Sequence, residues 1–168
     1  AAICCALFGG SASDWVGVGT GVTGDALERK KTAVEDAMAL HGAAFDDPFE
    51  VLRCLGGHEL SAITGAVLAA RIARVPVLLD GYACTAGAAI LNRIESTALD
   101  HCLVGHLSAE PGHRRLVEQL GQTPLLDLEM RLGEGTGATV ALGVLRAAIS
   151  CHIGMATYAE ARVDGPAG

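Results

Sequence analysis

Apolar and polar positions fall along this chain in blocks whose spacing predicts an alternating series of helices and strands. Ala1–Phe8 is apolar throughout and reads as a buried helix ending at Gly9-Gly10. Over Asp25–Leu40, Leu27, Val34, Ala37 and Met38 recur on one stripe with charges between them, the mark of an amphipathic helix. Asp47-Pro48 opens another helix, with Asp as cap and Pro in the first turn, and Gly56-Gly57 closes it. His58–Ala73 is apolar on nearly every side, which predicts a buried helix. Val75–Leu79 predicts a strand, Tyr82–Ile94 a helix of small residues, and Cys102–Leu107 a second strand. Glu110–Leu120 predicts a polar-faced helix, Pro124–Leu128 an extended piece, and Asp14–Val16 a short extended one. Ala138–Ala161 reads as the final helix, with Gly143 and Gly154 as kink points, and Val163–Gly168 as a tail.

A strand, a buried helix and a further strand imply right-handed crossovers and a parallel sheet. The expected class is therefore α/β, a parallel sheet with helices on both faces. Ligands in such folds sit beyond the carboxyl ends of the strands. Asp80-Gly81, Ser108 and the Gly17–Gly21 loop fall at such ends.

Composition narrows this picture. A chain of 168 residues fits one domain with a real core. Its hydrophobic fraction of 51% and charged fraction of 18% exclude disorder. Aromatics are only 4% and glycines number 22, so the core must be closely packed Ala, Leu, Val and Ile. The net charge is −7, and the basic run Arg29-Lys30-Lys31 has no interleaved aromatics, which argues against nucleic acid. The uncharged apolar segments read as too short for a membrane span or as broken by Gly and polar residues. The first ten residues carry no charge and no cleavage pattern follows, so no signal peptide is expected. The six cysteines form no C-x-x-C and no metal-ligand spacing with histidine, so buried, reduced thiols in a cytoplasmic protein are expected, without a metal site. Ala1–Leu7 lacks a helix cap and reads as an element entered midway.

Candidate chemistry concentrates in Arg131-Leu132-Gly133-Glu134-Gly135-Thr136-Gly137-Ala138. One carboxylate, Glu134, stands in a glycine turn before a long apolar segment. There it is expected to be poorly solvated and suited to taking a proton near neutral pH. The plainer reading of Glu134 is a first-turn acid answering a helix dipole. In Gly17-Val18-Gly19-Thr20-Gly21, alternating glycines precede a helix that carries Lys30. Such a loop can cradle a phosphate on its N–H groups, or be simply a tight turn. It matches neither G-x-G-x-x-G after a strand nor a Walker loop. Ser108 stands beside His106, Glu110 and His113, but no G-x-S-x-G elbow supports a hydrolase, and Ser108 also reads as a helix cap.

Several motifs, in this order and spacing, resemble one family. They are Val16–Gly21, Leu27–Lys30, Asp47–Leu52, Leu55–Leu60, Val75–Gly81, Ser108–His113 and Arg131–Ala138. The family is nicotinate-nucleotide–dimethylbenzimidazole phosphoribosyltransferase, of cobalamin lower-ligand synthesis. The resemblance runs from Ala1 to about Val163. It implies a Rossmann-like three-layer domain, here incomplete at its amino-terminal side: residues 1–163 as its carboxy-terminal portion, and 164–168 as a tail. It implies transfer of a phosphoribosyl group from nicotinate mononucleotide to a benzimidazole nitrogen, giving α-ribazole phosphate and nicotinate, with no cofactor. Glu134 is then the general base. Gly17, Gly19, Thr20, Gly21 and Lys30 hold the phosphate, and Ser108, Leu132 and Gly133 lie near the aromatic rings. The resemblance also implies a homodimer. Family members carry a preceding G-E-M-G-I-G-N-T-T type segment and much of the benzimidazole pocket ahead of the point matching Ala1. The alternative is a nucleotide-binding or dimerisation fragment without catalytic activity.

Overall fold

The computed structural model describes residues 1–42 and 45–163; the expected tail beyond Val163 lies outside them. Helix α1 (Ala2–Phe8) is followed by α2 (Ala12–Trp15), α3 (Asp25–His41), α4 (Pro48–Leu55) and α5 (Gly57–Ile72). Then come β1 (Val77–Leu79), α6 (Tyr82–Ile94), β2 (Cys102–Val104), β3 (His106–Leu107), α7 (Pro111–Gln119), β4 (Leu126–Asp127), α8 (Thr136–Gly154) and α9 (Tyr158–Ala161). The class is α/β, as the hydropathy pattern predicts.

All strand pairing among the described residues is parallel. β1 pairs with β2 in the register Val77–Cys102 to Leu79–Val104, and β3 pairs with β4. The segment Cys102–Leu107, expected as one strand, is interrupted at Gly105, which lies against Ala138 of α8. Gly105 N–H donates to Leu79 O at 2.7 Å, while Val104 O accepts from Leu125 N–H at 2.9 Å. Since neighbouring residues of a strand bond to opposite sides, β1 flanks this segment on one side and β4 on the other. The carboxyl ends of β1 and β3 therefore open in the same direction, at Asp80-Gly81 and at Ser108.

The core is built from small and aliphatic residues. Ile3, Cys4, Cys5 and Leu7 of α1, Val51 and Leu52 of α4, and Ala86, Ala89 and Ile90 of α6 pack around Trp15 and Leu116. Trp15 is fully buried; its indole N–H donates to Gly9 O at 2.8 Å, and the Arg115 guanidinium lies 4.8 Å from the ring centroid. A second cluster joins Val67 of α5, Leu79 of β1, Ala88 and Leu91 of α6, and Leu99 and Cys102. Gly87 lets α6 close on Ile63 and Leu60 of α5.

Four expectations need correction. Asp14–Val16 is not extended: residues up to Trp15 form a one-turn helix, held by a capping box in which Ser11 N–H and hydroxyl both donate to Asp14. The helix within His58–Ala73 is not enclosed, since only Thr64 and Val67 are buried while Leu68 and Ile72 are exposed. Its composition suits a buried helix, but the described residues cover a single face. The final helix does not reach Ala161: it continues through Gly143, stops at Gly154, and is separated from α9 by Met155–Thr157. Finally, α8 is one helix of 19 residues, long and apolar enough by length and composition to cross a membrane, so that segment is not too short for a span. Its buried residues are Gly137 and Ala141, and it packs on β1 and β3, with Val140, Leu142, Val144, Ile149 and Ile153 left exposed. All six cysteines are free thiols; Cys4, Cys5 and Cys102 are buried and Cys151 is exposed.

Candidate active site

The carboxyl ends of β1 and β3 open into a cleft of about 570 Å³. Asp80, Gly81 and Tyr82 enter from the end of β1 and the start of α6, His106 from β3 and Ser108 from just after it, and Arg131, Gly133, Glu134 and Gly135 from the turn before α8. Ile63, Val67 and Val77 supply an apolar wall.

Glu134 sits in an unusual backbone turn. Gly133, Glu134 and Gly135 have successive φ values of +83°, +55° and +73°. Glycine adopts this region without penalty, whereas a residue with a Cβ is strained there by about 1–3 kcal/mol. The turn is held by threonines: Thr136 Oγ1 donates to Gly133 O at 2.7 Å, and Thr139 Oγ1 to Gly135 O at 2.8 Å. Glu134 itself is exposed, contrary to the expected poor solvation. The cap of α8 is Gly135, so Glu134 precedes the helix and is not a first-turn acid.

The carboxylate that answers the α8 amino terminus is Asp80, whose Oδ1 accepts from Ala138 N–H at 2.8 Å. His106, only 2% exposed, lies beside it, with Nε2 3.8 Å from the same oxygen. Gly137 rests directly on the His106 ring, and His106 Nδ1 has no hydrogen-bond partner.

The Gly17–Gly21 loop forms a neighbouring group. Val22 N–H closes it onto Val18 O at 2.7 Å. Lys30 Nζ donates to Gly17 O at 2.8 Å, and Gly19 N–H donates to Glu110 Oε1 at 2.5 Å. Glu110 also lines the cleft, and so joins the loop to it. A loop amide bonded to a carboxylate, with an ammonium alongside, is a local environment suited to an anion.

A phosphoribosyltransferase family model matches residues 1–163. The nicotinate-nucleotide–dimethylbenzimidazole phosphoribosyltransferase of Rhizobium etli is 64% identical over 165 residues, 98% of this chain and 49% of that protein. The chain belongs to the nicotinate-nucleotide–dimethylbenzimidazole phosphoribosyltransferase family. The enzyme of the same name from Methylocella silvestris is 58% identical over the whole chain and 49% of its own length. A crystal structure of CobT from Thermus thermophilus superposes with a TM-score of 0.88 at 46% identity, over 97% of this chain and 48% of that one. The chain thus spans about half the length of the family members it matches.

Of the family-implied residues, Ser108, Gly133 and Glu134 line the one cleft. Leu132 is 64% exposed and does not line it. Gly17, Gly19 and Lys30 are gathered in the loop group with Thr20 and Gly21, the latter two exposed. Ser108 does not cap α7; Glu110 holds that position, and Ser108 Oγ accepts from Glu110 N–H at 3.3 Å. The sequence put Asp80 at a strand end where ligands sit and His106, Glu110 and His113 beside Ser108, but assigned none of them, nor Thr85, a specific part in the site. Asp80 was marked only by its place after an apolar strand. Its partner Ala138 is 58 residues away, and no local pattern connects the two. Among the described residues no group of three or more His, Cys, Asp or Glu is placed to hold a metal ion.

Proposed function

We propose that this chain is the carboxy-terminal part of an enzyme that transfers phosphoribose from nicotinate mononucleotide to 5,6-dimethylbenzimidazole. In the reaction, one imidazole nitrogen of the base forms a bond to the anomeric carbon. The bond from that carbon to nicotinate breaks, its electron pair stays on the pyridine nitrogen, and the carbon inverts. The proton on the other ring nitrogen of the base passes to the Glu134 carboxylate. Lys30 and the Gly17–Gly21 loop take the phosphate, and Ser108 and Gly133, with Leu132 at the rim, face the rings.

The observation that carries this reading is the strained backbone of Glu134 at the rim of the cleft, a conformation that stability alone does not favour. Its exposure in this chain leaves room for the remaining half of the site to enclose it. The same reasoning extends to a three-layer parallel sheet completed by that half, to a homodimer, and to a cytoplasmic setting that suits six free thiols.

Glu134→Gln in the full-length enzyme tests the role. Turnover should fall about 10²–10⁴-fold while nicotinate mononucleotide binding holds; turnover within about threefold of wild type, far outside that range, places the base elsewhere. A second reading, a fragment that binds or assembles without chemistry, is favoured by the exposed apolar face of α8. Nicotinate mononucleotide binding by this chain without formation of α-ribazole phosphate identifies it.

A further inference from the structure

Beneath the cleft, the loops at Gly81 and Ser108 are joined by a hydrogen-bonded chain that the proposed reaction does not use. His113 of α7 is fully buried. Ser108 N–H donates to its Nδ1 at 2.9 Å. A backbone amide can only donate, so Nδ1 is bare and the proton of the neutral ring sits on Nε2. Nε2 lies 3.2 Å from Thr85 Oγ1, also fully buried, and the Thr85 hydroxyl lies 2.8 Å from Gly81 O. A carbonyl can only accept. The direction of every bond is therefore fixed from both ends: Ser108 N–H to His113, His113 Nε2–H to Thr85, Thr85 O–H to Gly81 O. The two loops also lie close together, since a Cβ added at Gly81 would stand 3.8 Å from Ser108 Cβ.

A protonated ring has no acceptor at Nδ1, and the chain would break there. Burial first, and the neighbouring His106 second, push the His113 pKa down to about 4, against a smaller opposing pull from Asp80. The groups facing the ring are His106 of β3, with centroids 6.3 Å apart, Tyr82 of α6 at 6.2 Å, and Asp80 at the end of β1.

We propose that His113 is a positioning residue which, as the neutral Nε2–H tautomer acting through Thr85, fixes the Ser108 loop against the Gly81 turn and so sets the cleft surface that receives the acceptor base. The assignment to the base rests on the reaction proposed above; the tautomer and the tie between the loops do not.

The test has two arms. Nitrogen NMR of the imidazole rings, with His113→Asn identifying the His113 signals, should show Nδ1 bare and Nε2 protonated at pH 6. A charged ring or the opposite tautomer at that pH overturns the proposal. In the full-length enzyme, Thr85→Val should raise KM for dimethylbenzimidazole about 5- to 100-fold, the range for a buried partner left unsatisfied. kcat should change much less, and Thr85→Ser, which keeps the hydroxyl, should restore KM. An unchanged KM in Thr85→Val, or Thr85→Ser no better than Thr85→Val, overturns the positioning role. If Thr85→Val does not fold, Thr85→Ala takes its place in the KM comparison with Thr85→Ser, with the same outcomes. A wild-type enzyme that makes no α-ribazole phosphate refutes the proposed reaction, while the NMR arm, which needs no substrate, still judges the tie.

Discussion

Alanine at Gly137 and alanine at Gly143 are the same chemical change in the same helix, yet they should move stability in opposite directions. A Cβ at Gly137 falls inside the envelope of the His106 ring, and the three nearest atoms all belong to that ring. The ring has little room to retreat, being 2% exposed and set against Asp80. Either His106 or the first turn of α8 must therefore move, and moving the helix stretches the 2.8 Å bond from Ala138 N–H to Asp80. Overpacking costs about 1–3 kcal/mol, and strain in a charge-assisted hydrogen bond adds to it. The gain in helix propensity offsets at most about 1 kcal/mol. A net loss of about 2 kcal/mol should lower Tm by about 4–8 °C in a chain of this size. Gly143 has nothing within 4 Å of its Cβ position and no positive φ. Alanine there should gain up to about 1 kcal/mol and raise Tm by about 2–4 °C. Thermal unfolding followed by circular dichroism, at one protein concentration, measures both. A Gly137→Ala chain as stable as wild type, or two shifts of the same sign, would refute the packing of α8 on His106.

Three further outcomes are expected. Lys30→Ala in the full-length enzyme should weaken nicotinate mononucleotide by about 1.5–3 kcal/mol and leave nicotinate riboside, which lacks the phosphate, nearly unaffected; equal losses in calorimetric titrations count against a phosphate role. Because the buried His113 has a pKa of about 4 against an ordinary 6.5, the unfolded chain takes up that proton first. Its contribution, about 3 kcal/mol, is present above pH 6.5 and lost as pH falls towards 4. Denaturant unfolding of His113→Asn should therefore show a shallower decline than wild type across that window, and parallel curves would contradict it. With Leu142, Ile149 and Ile153 exposed on α8, this chain should self-associate at micromolar concentration, and Ile149→Glu should weaken that association; a monodisperse wild-type monomer by light scattering refutes it.

Elements with strong local signals were legible in the sequence. Asp47 and Pro48 mark the start of α4, where Asp47 accepts from Phe49 N–H at 2.8 Å, and α6 matches its expected bounds, Tyr82–Ile94. The one-turn helix α2 escaped because four residues cannot display a period, and its only signal is the Ser11–Asp14 capping box. The break at Gly105 was invisible because it follows from contact with α8, more than thirty residues further along the chain. Composition suggested burial for α5 and poor solvation for Glu134, but solvation depends on what packs against a segment, which its own residues do not encode. Glu134 and the glycine loop stood out by residue type and family pattern. The supports around them, Asp80 under α8 and His113 under Ser108, rest on distant pairings that spacing does not reveal.

The bond between Gly19 and Glu110 has a consequence for ligand choice. A loop amide held by a carboxylate of the same chain already has a resident competitor. Any incoming anion has to displace that resident. A weak monoanion offers the amide no more than Glu110 does. A phosphate ester carries about −1.5 to −2 charges, and Lys30 Nζ lies 3.4 Å from the Cβ position of Gly19 to meet them. The displaced carboxylate has somewhere to go, since Glu110 also borders a neighbouring groove containing Arg114 and Arg131. If the loop takes the phosphate as proposed, discrimination between a nucleotide and its riboside would be set by eviction, since only the ligand with the stronger anion would gain the loop.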